Sequence, residues 1–284
     1  MENVTVFSVN VACGLAGLLF FGVFFVKRAT TNLGEISPPP VPVGKVPVWV
    51  YNDADLLGLI GITGFYYLMG IGNASMSGGD SIPKISAFGL WLNIGLQLFL
   101  VGMVTLIVWR RIRPVQWLGL AWKKWPWVFL IAPAVWLAMV MIFNGLYAVG
   151  YMELMEYLGV EKVQDTVAIF QKEKDMSIVV LLAFAAVIIA PICEEIVFRG
   201  YLYPVAKKFT GPWIAGVCSA LVFSAVHGSM SALLPLFLLG LVLVALYEYT
   251  GSIWAPIAVH FLFNGATVAV QMLVRYGIIT GLPS

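Results

Sequence analysis

Long apolar stretches alternate with short polar ones along the whole chain. Apolar runs of about 20 residues, the length that crosses a bilayer as a helix, fall near 7–26, 54–72, 88–109, 128–150, 178–198, 212–228, 232–249 and 253–273. The pattern predicts an all-α fold, a polytopic transmembrane helix bundle of about eight spans. A polar linker at 27–53 contains Pro38-Pro39-Pro40, Pro42 and Pro47, which favour extended backbone over helix. Residues 73–87 are rich in Gly and Ser and read as a loop. Residues 151–176 intersperse charges with Leu154, Met155, Leu158 and Phe170, the pattern of a surface-lying amphipathic helix or of a gate over a site. The chain therefore divides into N-terminal membrane spans at 1–150 (four helices), a polar amphipathic connector at 151–176, a C-terminal helix bundle at 177–275 and a tail at 276–284.

Composition narrows the function classes. Of 284 residues, 61% are hydrophobic and 11% charged, with a mean hydropathy of +0.95. A soluble domain carries about 25% charged residues, so the chain belongs in a lipid bilayer, as an integral multi-pass protein. A net charge of +2 without a long basic run excludes a nucleic-acid partner. Cys13, Cys193 and Cys218 lie in apolar runs without CxxC spacing and read as small buried hydrophobes. The first run lacks a basic n-region and is followed by Lys27 and Arg28, which marks a retained anchor rather than a cleaved signal. No internal repeat is evident, which disfavours a transporter built from duplicated halves.

Charge sets the expected orientation. Loops 27–53, 110–127 and 199–210 hold eleven of the sixteen Lys and Arg residues, which places them in the cytoplasm and both termini outside. Trp109, Trp117, Trp122, Trp125 and Trp127, interleaved with Arg110, Arg111, Arg113, Lys123 and Lys124, read as an interfacial belt. Lys207 and Lys208 read as topology signals, and Glu248 with Tyr247 and Tyr249 as interfacial residues.

Chemistry concentrates in the last 91 residues, where Glu194, Glu195, Arg199, His227, His260 and Asn264 all fall in or beside apolar runs. Ionisable groups at membrane depth are costly and imply function. Glu195 and Arg199 are four apart and share a helix face, as do His260 and Asn264. Glu194 lies about 100° around the helix from Glu195. If the fifth helix continues to a turn at Thr210-Gly211-Pro212, Glu194 and His227 each lie roughly 25 Å from it, at one level of an antiparallel hairpin. His260 lies roughly 12 Å from its own turn at Thr250-Gly251-Ser252, so it needs a tilt or a re-entrant stretch, which Pro235 or Pro256 can supply.

Each residue also has a structural reading. Glu195 and Arg199 suit a structural ion pair. A membrane histidine, Asn264, or the Asn93–Gln97 pair can serve as hydrogen-bonding glue between helices. Against this, a glutamate near two imidazoles suits two kinds of hydrolysis. The carboxylate can take a proton from water as general base. Alternatively, two His and one Glu can hold a zinc that acidifies the water.

Glu194-Glu195-x-x-x-Arg199, Phe223-x-x-x-His227 and His260-x-x-x-Asn264, in this order, resemble the signature of the CAAX prenyl protease and bacteriocin-processing (CPBP, Abi) family of intramembrane proteases. The resemblance covers about residues 177–275, and the first 150 residues carry no such signature. It implies an intramembrane endopeptidase acting on a membrane-associated protein or peptide. Glu194 would activate water with His227 beside it, His260 and Asn264 would stabilise the oxyanion, and Glu195 and Arg199 would support them. No cofactor is required in that scheme. In a zinc-dependent version the ligands would come from Glu194, Glu195, His227 and His260. A non-catalytic membrane binding or bacteriocin-immunity protein that retains the motif is the alternative.

Overall fold

Residues 2–30, 45–46, 53–76, 85–160 and 165–279 are described by the computed structural model, and among them every regular element is helical. In chain order these are α1 (Glu2–Thr30), α2 (Asp53–Met76), α3 (Ala87–Val108), the short α4 (Pro114–Trp117) and α5 (Val128–Ala148). The connector forms α6 (Tyr151–Tyr157) and α7 (Asp165–Lys172). Then come α8 (Met176–Thr210), α9 (Pro212–Ala225), α10 (Met230–Thr250) and α11 (Trp254–Arg275). Seven of the described helices are long and apolar enough to cross a membrane, and α9 is a shorter apolar helix of 14 residues. The chain is a polytopic helix bundle and an integral, multi-pass membrane protein. The proline-rich linker, the Gly/Ser-rich loop and the tail fall largely outside the described residues, at 31–44, 47–52, 77–84 and 280–284.

α8 departs from the sequence expectation. A span ending near residue 198 and a basic loop from 199 are replaced by 35 continuous helical residues. Two prolines shape it. A proline inside a helix supplies no N–H, and its ring collides with the preceding turn. Widening the helix by one residue per turn relieves the collision. The wide π segments, Ala185–Ile189 and Glu195–Leu202, each end two residues before a proline, Pro191 and Pro204. Ala190 N accordingly bonds Ala185 O, and Tyr203 N bonds Phe198 O.

Side chains of other helices reach carbonyls of these wide segments. Within the second wide segment, Trp117 Nε1 donates to Gly200 O at 2.6 Å. Trp117 is therefore a core anchor, 2% exposed, and not part of an interfacial belt, whereas Trp109, Trp125 and Trp127 are exposed. Trp117→Phe keeps the ring but orphans this carbonyl. A loss of about 1–3 kcal/mol is expected, read by thermal unfolding in detergent.

Three further charges thought to lie at loops or interfaces are tied into the bundle. Arg111 pairs with the fully buried Asp55 of α2. Lys207 is buried and pairs with Glu248, whose Oε1 also accepts from Tyr203 Oη at 2.8 Å. Lys45 N donates to Glu248 O at 3.2 Å, and Ile253 N to Leu118 O at 2.9 Å. Tyr247 Oη reaches Trp117 O at 3.0 Å. Residues 45–46, the α3–α5 segment, the end of α8 and the α10–α11 turn thus gather at one end of the bundle. Gly119 makes the closest approach there: with φ +61°, a Cβ would lie 1.8 Å from Gly251 O.

The connector does not lie free on a surface. Ile169 and Phe170 of α7 are buried with Leu90, Val179 and Leu182. Gln171 Nε2 donates to Gln271 Oε1 at 2.7 Å, and Arg275 Nη1 to Phe170 O at 3.0 Å. Asp175 then caps α8, accepting from Ser177 Oγ at 2.7 Å and Ser177 N at 2.9 Å, and these bonds hold its carboxyl below the usual range. Asn93 and Gln97 bond each other at 2.7 Å along α3.

Candidate active site

Between the two π segments of α8 lies a single α turn, Ala190–Glu194, and the diglutamate straddles its end. The two carboxylates meet different surroundings. Glu195 is fully buried. Its Oε1 accepts from Arg199 Nη1 at 3.0 Å and from His260 Nδ1 at 2.9 Å. Glu194 retains 18% side-chain exposure, and its Oε2 lies 4.0 Å from His260 Nε2.

Arg199 is itself fixed from three sides. Nη2 donates to Gly240 O of α10 at 3.2 Å, and its guanidinium carbon sits 4.4 Å from the centroid of the Phe223 ring. Phe223, on α9, is fully buried. Its ring packs edge-on against both imidazoles, with centroids 5.2 Å from His227 and 5.7 Å from His260. One aromatic ring thus meets Arg199 and both histidines. The motif spacing marks Phe223 in the sequence, but nothing there marks it as the contact they share.

Hydrogen bonding fixes the imidazole protons. A carboxylate only accepts, so His260 Nδ1 carries hydrogen, and Nε2 is the atom that faces Glu194. His227 follows the end of α9, with Nδ1 2.8 Å from Phe223 O. A carbonyl also only accepts, so a neutral His227 leaves Nε2 bare. Among the described residues no hydrogen bond joins His227 to Glu194. The 4.0 Å gap between Glu194 and His260 exceeds hydrogen-bond length and is wide enough to be bridged by water.

Asn264 lies one turn beyond His260 on α11, and Nδ2 donates to Ala186 O at 2.8 Å. In the π register Ala186 O would meet residue 191, a proline without N–H, so Asn264 supplies the missing donor. The amide is thereby held in place with a second N–H to spare. α11 runs unbroken from Trp254 to Arg275, so His260 needs no re-entrant stretch.

Of the four candidate zinc ligands, Glu195 Oε1 is taken by Arg199 and His260, whereas each histidine turns Nδ1 to another partner and leaves Nε2 open. Among the described residues no group of three or more His, Cys, Asp or Glu side chains is arranged to hold a metal, whereas a zinc site needs three protein ligands or more.

An apolar cleft of about 650 Å³ runs beside this turn, between Pro191 and Ile192 of α8 and Ala258 and Phe261 of α11. Trp122 and Trp125 line it from the α4–α5 segment.

Residues 176–266 match the Rce1-like family, described as type II CAAX prenyl endopeptidase Rce1-like. The chain is 28% identical over 192 residues to the putative membrane peptidase YdiL of Bacillus subtilis (strain 168), covering 66% of this chain and 74% of that protein. No solved structure matches. The matched segment contains Glu194, Glu195, Arg199, His227, His260 and Asn264, and over it the chain is similar to CAAX-protease-like membrane proteins.

Proposed function

We propose that this protein is an intramembrane endopeptidase that cleaves membrane-associated proteins or peptides with water activated by Glu194. The observation that carries the reading is the Glu194–His260 gap. A partly exposed carboxylate faces an imidazole nitrogen across 4.0 Å, while the second ring nitrogen is tied to the buried Glu195. A water in that gap can give a proton to Glu194 as its oxygen attacks the scissile carbonyl. Glu194 then returns the proton to the leaving amine, so protons balance over the cycle. In its doubly protonated form His260 donates from Nε2 as well as Nδ1, and this N–H and the spare N–H of Asn264 are assigned to the developing oxyanion. His227 stands beside them across Phe223. Glu195 and Arg199 hold His260 and the turn in place.

The apolar cleft offers a route for the substrate's membrane segment. Ile192 is 40% exposed there, two residues before Glu194. Ile192→Trp is expected to raise KM several-fold with little change in kcat, since it obstructs approach without touching the reacting groups. Steady-state kinetics on a cleaved peptide checks this.

The function is tested by comparative proteomics of cells carrying wild-type or Glu194→Ala protein, followed by cleavage of the candidate substrate with purified enzyme in liposomes. Accumulation of uncleaved substrate only in the variant is the expected result. Full activity of purified Glu194→Ala overturns it. Activity is expected to survive dialysis against a chelator, and a loss restored by zinc would overturn the metal-free scheme.

A further inference from the structure

The first 150 residues hold none of the motif residues, yet α2 reaches the turn that carries His227. With 14 residues α9 spans about 21 Å, short of the roughly 30 Å hydrocarbon layer. Its C-terminal turn therefore lies at membrane depth. Irregular backbone is tolerated there only where protein or enclosed water satisfies its polar groups. Three carbonyls at this helix end have partners close by. Phe223 O meets His227 Nδ1, and Ala225 O accepts from Gly228 N at 3.0 Å. Val226 O accepts from Asn73 Nδ2 of α2 at 3.0 Å.

Packing presses the turn onto the same helix. Gly228 has φ +59°, and a Cβ on it would lie 2.6 Å from Asn73 Cβ and 2.7 Å from Ala74 N. A Cβ on Gly70, one turn earlier in α2, would lie 2.7 Å from Ala225 O. Ala74 and Ala225 are buried together with Val9 and Ala12 of α1. The backbone on both sides of His227 is thus seated on α2, and among the described residues Asn73 of α2 bonds it through its side chain.

We propose that Asn73 is a positioning residue for His227: its amide fixes the Val226 carbonyl, and with it the turn that holds the imidazole against Phe223. The inference rests on the hydrolytic reading of His227 and makes α2 part of the catalytic unit.

Asn73→Asp tests it, because the side chain keeps its shape while an acceptor replaces the donor. The expected result is a fall in kcat of roughly ten- to a hundredfold with KM unchanged. In a His227→Ala background the same substitution should cause no further loss. A second readout needs no substrate. The chain's two histidines are His227 and His260, so ¹⁵N-histidine NMR resolves each ring. In wild type His227 should show the Nδ1–H tautomer. In Asn73→Asp it should lose that signature while His260 keeps its own. An unchanged His227 signature in the folded variant overturns the proposal, as does an equal kcat loss in the His227→Ala background. If Asn73→Asp does not fold, Asn73→Ala, which adds no charge, is read by the same spectrum. If wild type cleaves nothing while His227 still answers to Asn73, the hydrolytic reading fails and the positioning role stands.

Discussion

Glu194→Gln is expected to lower kcat by at least about a thousandfold while leaving the bundle folded, because the amide keeps the shape of the carboxylate and cannot take a proton from water. The two halves of this expectation have separate causes. The rate half follows from the proposed mechanism, which puts the base at the gap facing His260 Nε2. The stability half follows from what Glu194 lacks. Its buried Oε2 has no hydrogen-bond partner among the described residues, so removing the charge relieves a desolvation cost and breaks no bond at that atom. Glu195→Gln should behave in the opposite way. Its Oε1 is held by Arg199 and His260, so neutralising it weakens two charge-assisted bonds and lowers stability as well as rate. Single-turnover cleavage and thermal unfolding, measured on both variants, separate a base from a support. Should Glu194→Gln stay active while Glu195→Gln folds and does not cleave, the two assignments exchange.

What could be read from the sequence follows from what a local pattern encodes. Hydrophobic runs of span length mark the membrane helices, and the four-residue spacings mark Glu195–Arg199 and His260–Asn264, because both depend on neighbours within a turn or two. The π segments are less visible. Pro191 and Pro204 signal a disturbed helix, but a proline does not say whether the helix bends, ends or widens. The partners that settle the question, Trp117 for Gly200 O and Asn264 for Ala186 O, lie 83 and 78 residues away. Lys207 failed as a loop charge for the same reason: its partner Glu248 is 41 residues distant. Charge counting sees a lysine near a helix end and cannot see that the end is covered. Asn73, 153 residues before Val226, had no local signal at all.

Arg199→Met is expected to be the most destabilising single substitution in the bundle, by about 3–5 kcal/mol, or a fall in Tm on the order of 10 °C. Arg199 and Glu195 are both fully buried, and neither charge can turn to water when its partner is lost. Methionine roughly fills the volume but leaves Glu195 with His260 as its remaining bonded partner, and it frees Gly240 O on α10. It also removes the cation that lies over Phe223, an attraction worth about 2 kcal/mol where water is excluded. The double variant Glu195→Gln/Arg199→Met should recover part of the loss, because no isolated charge then remains buried. That recovery, read as the interaction energy of a double-mutant cycle, measures the pair itself. Activity should not recover with it. His260 Nδ1 would then face a neutral amide in place of a carboxylate, so its ring would no longer be held firmly toward Glu194. A double variant as stable as wild type and fully active would show that the pair neither supports the fold nor orients His260.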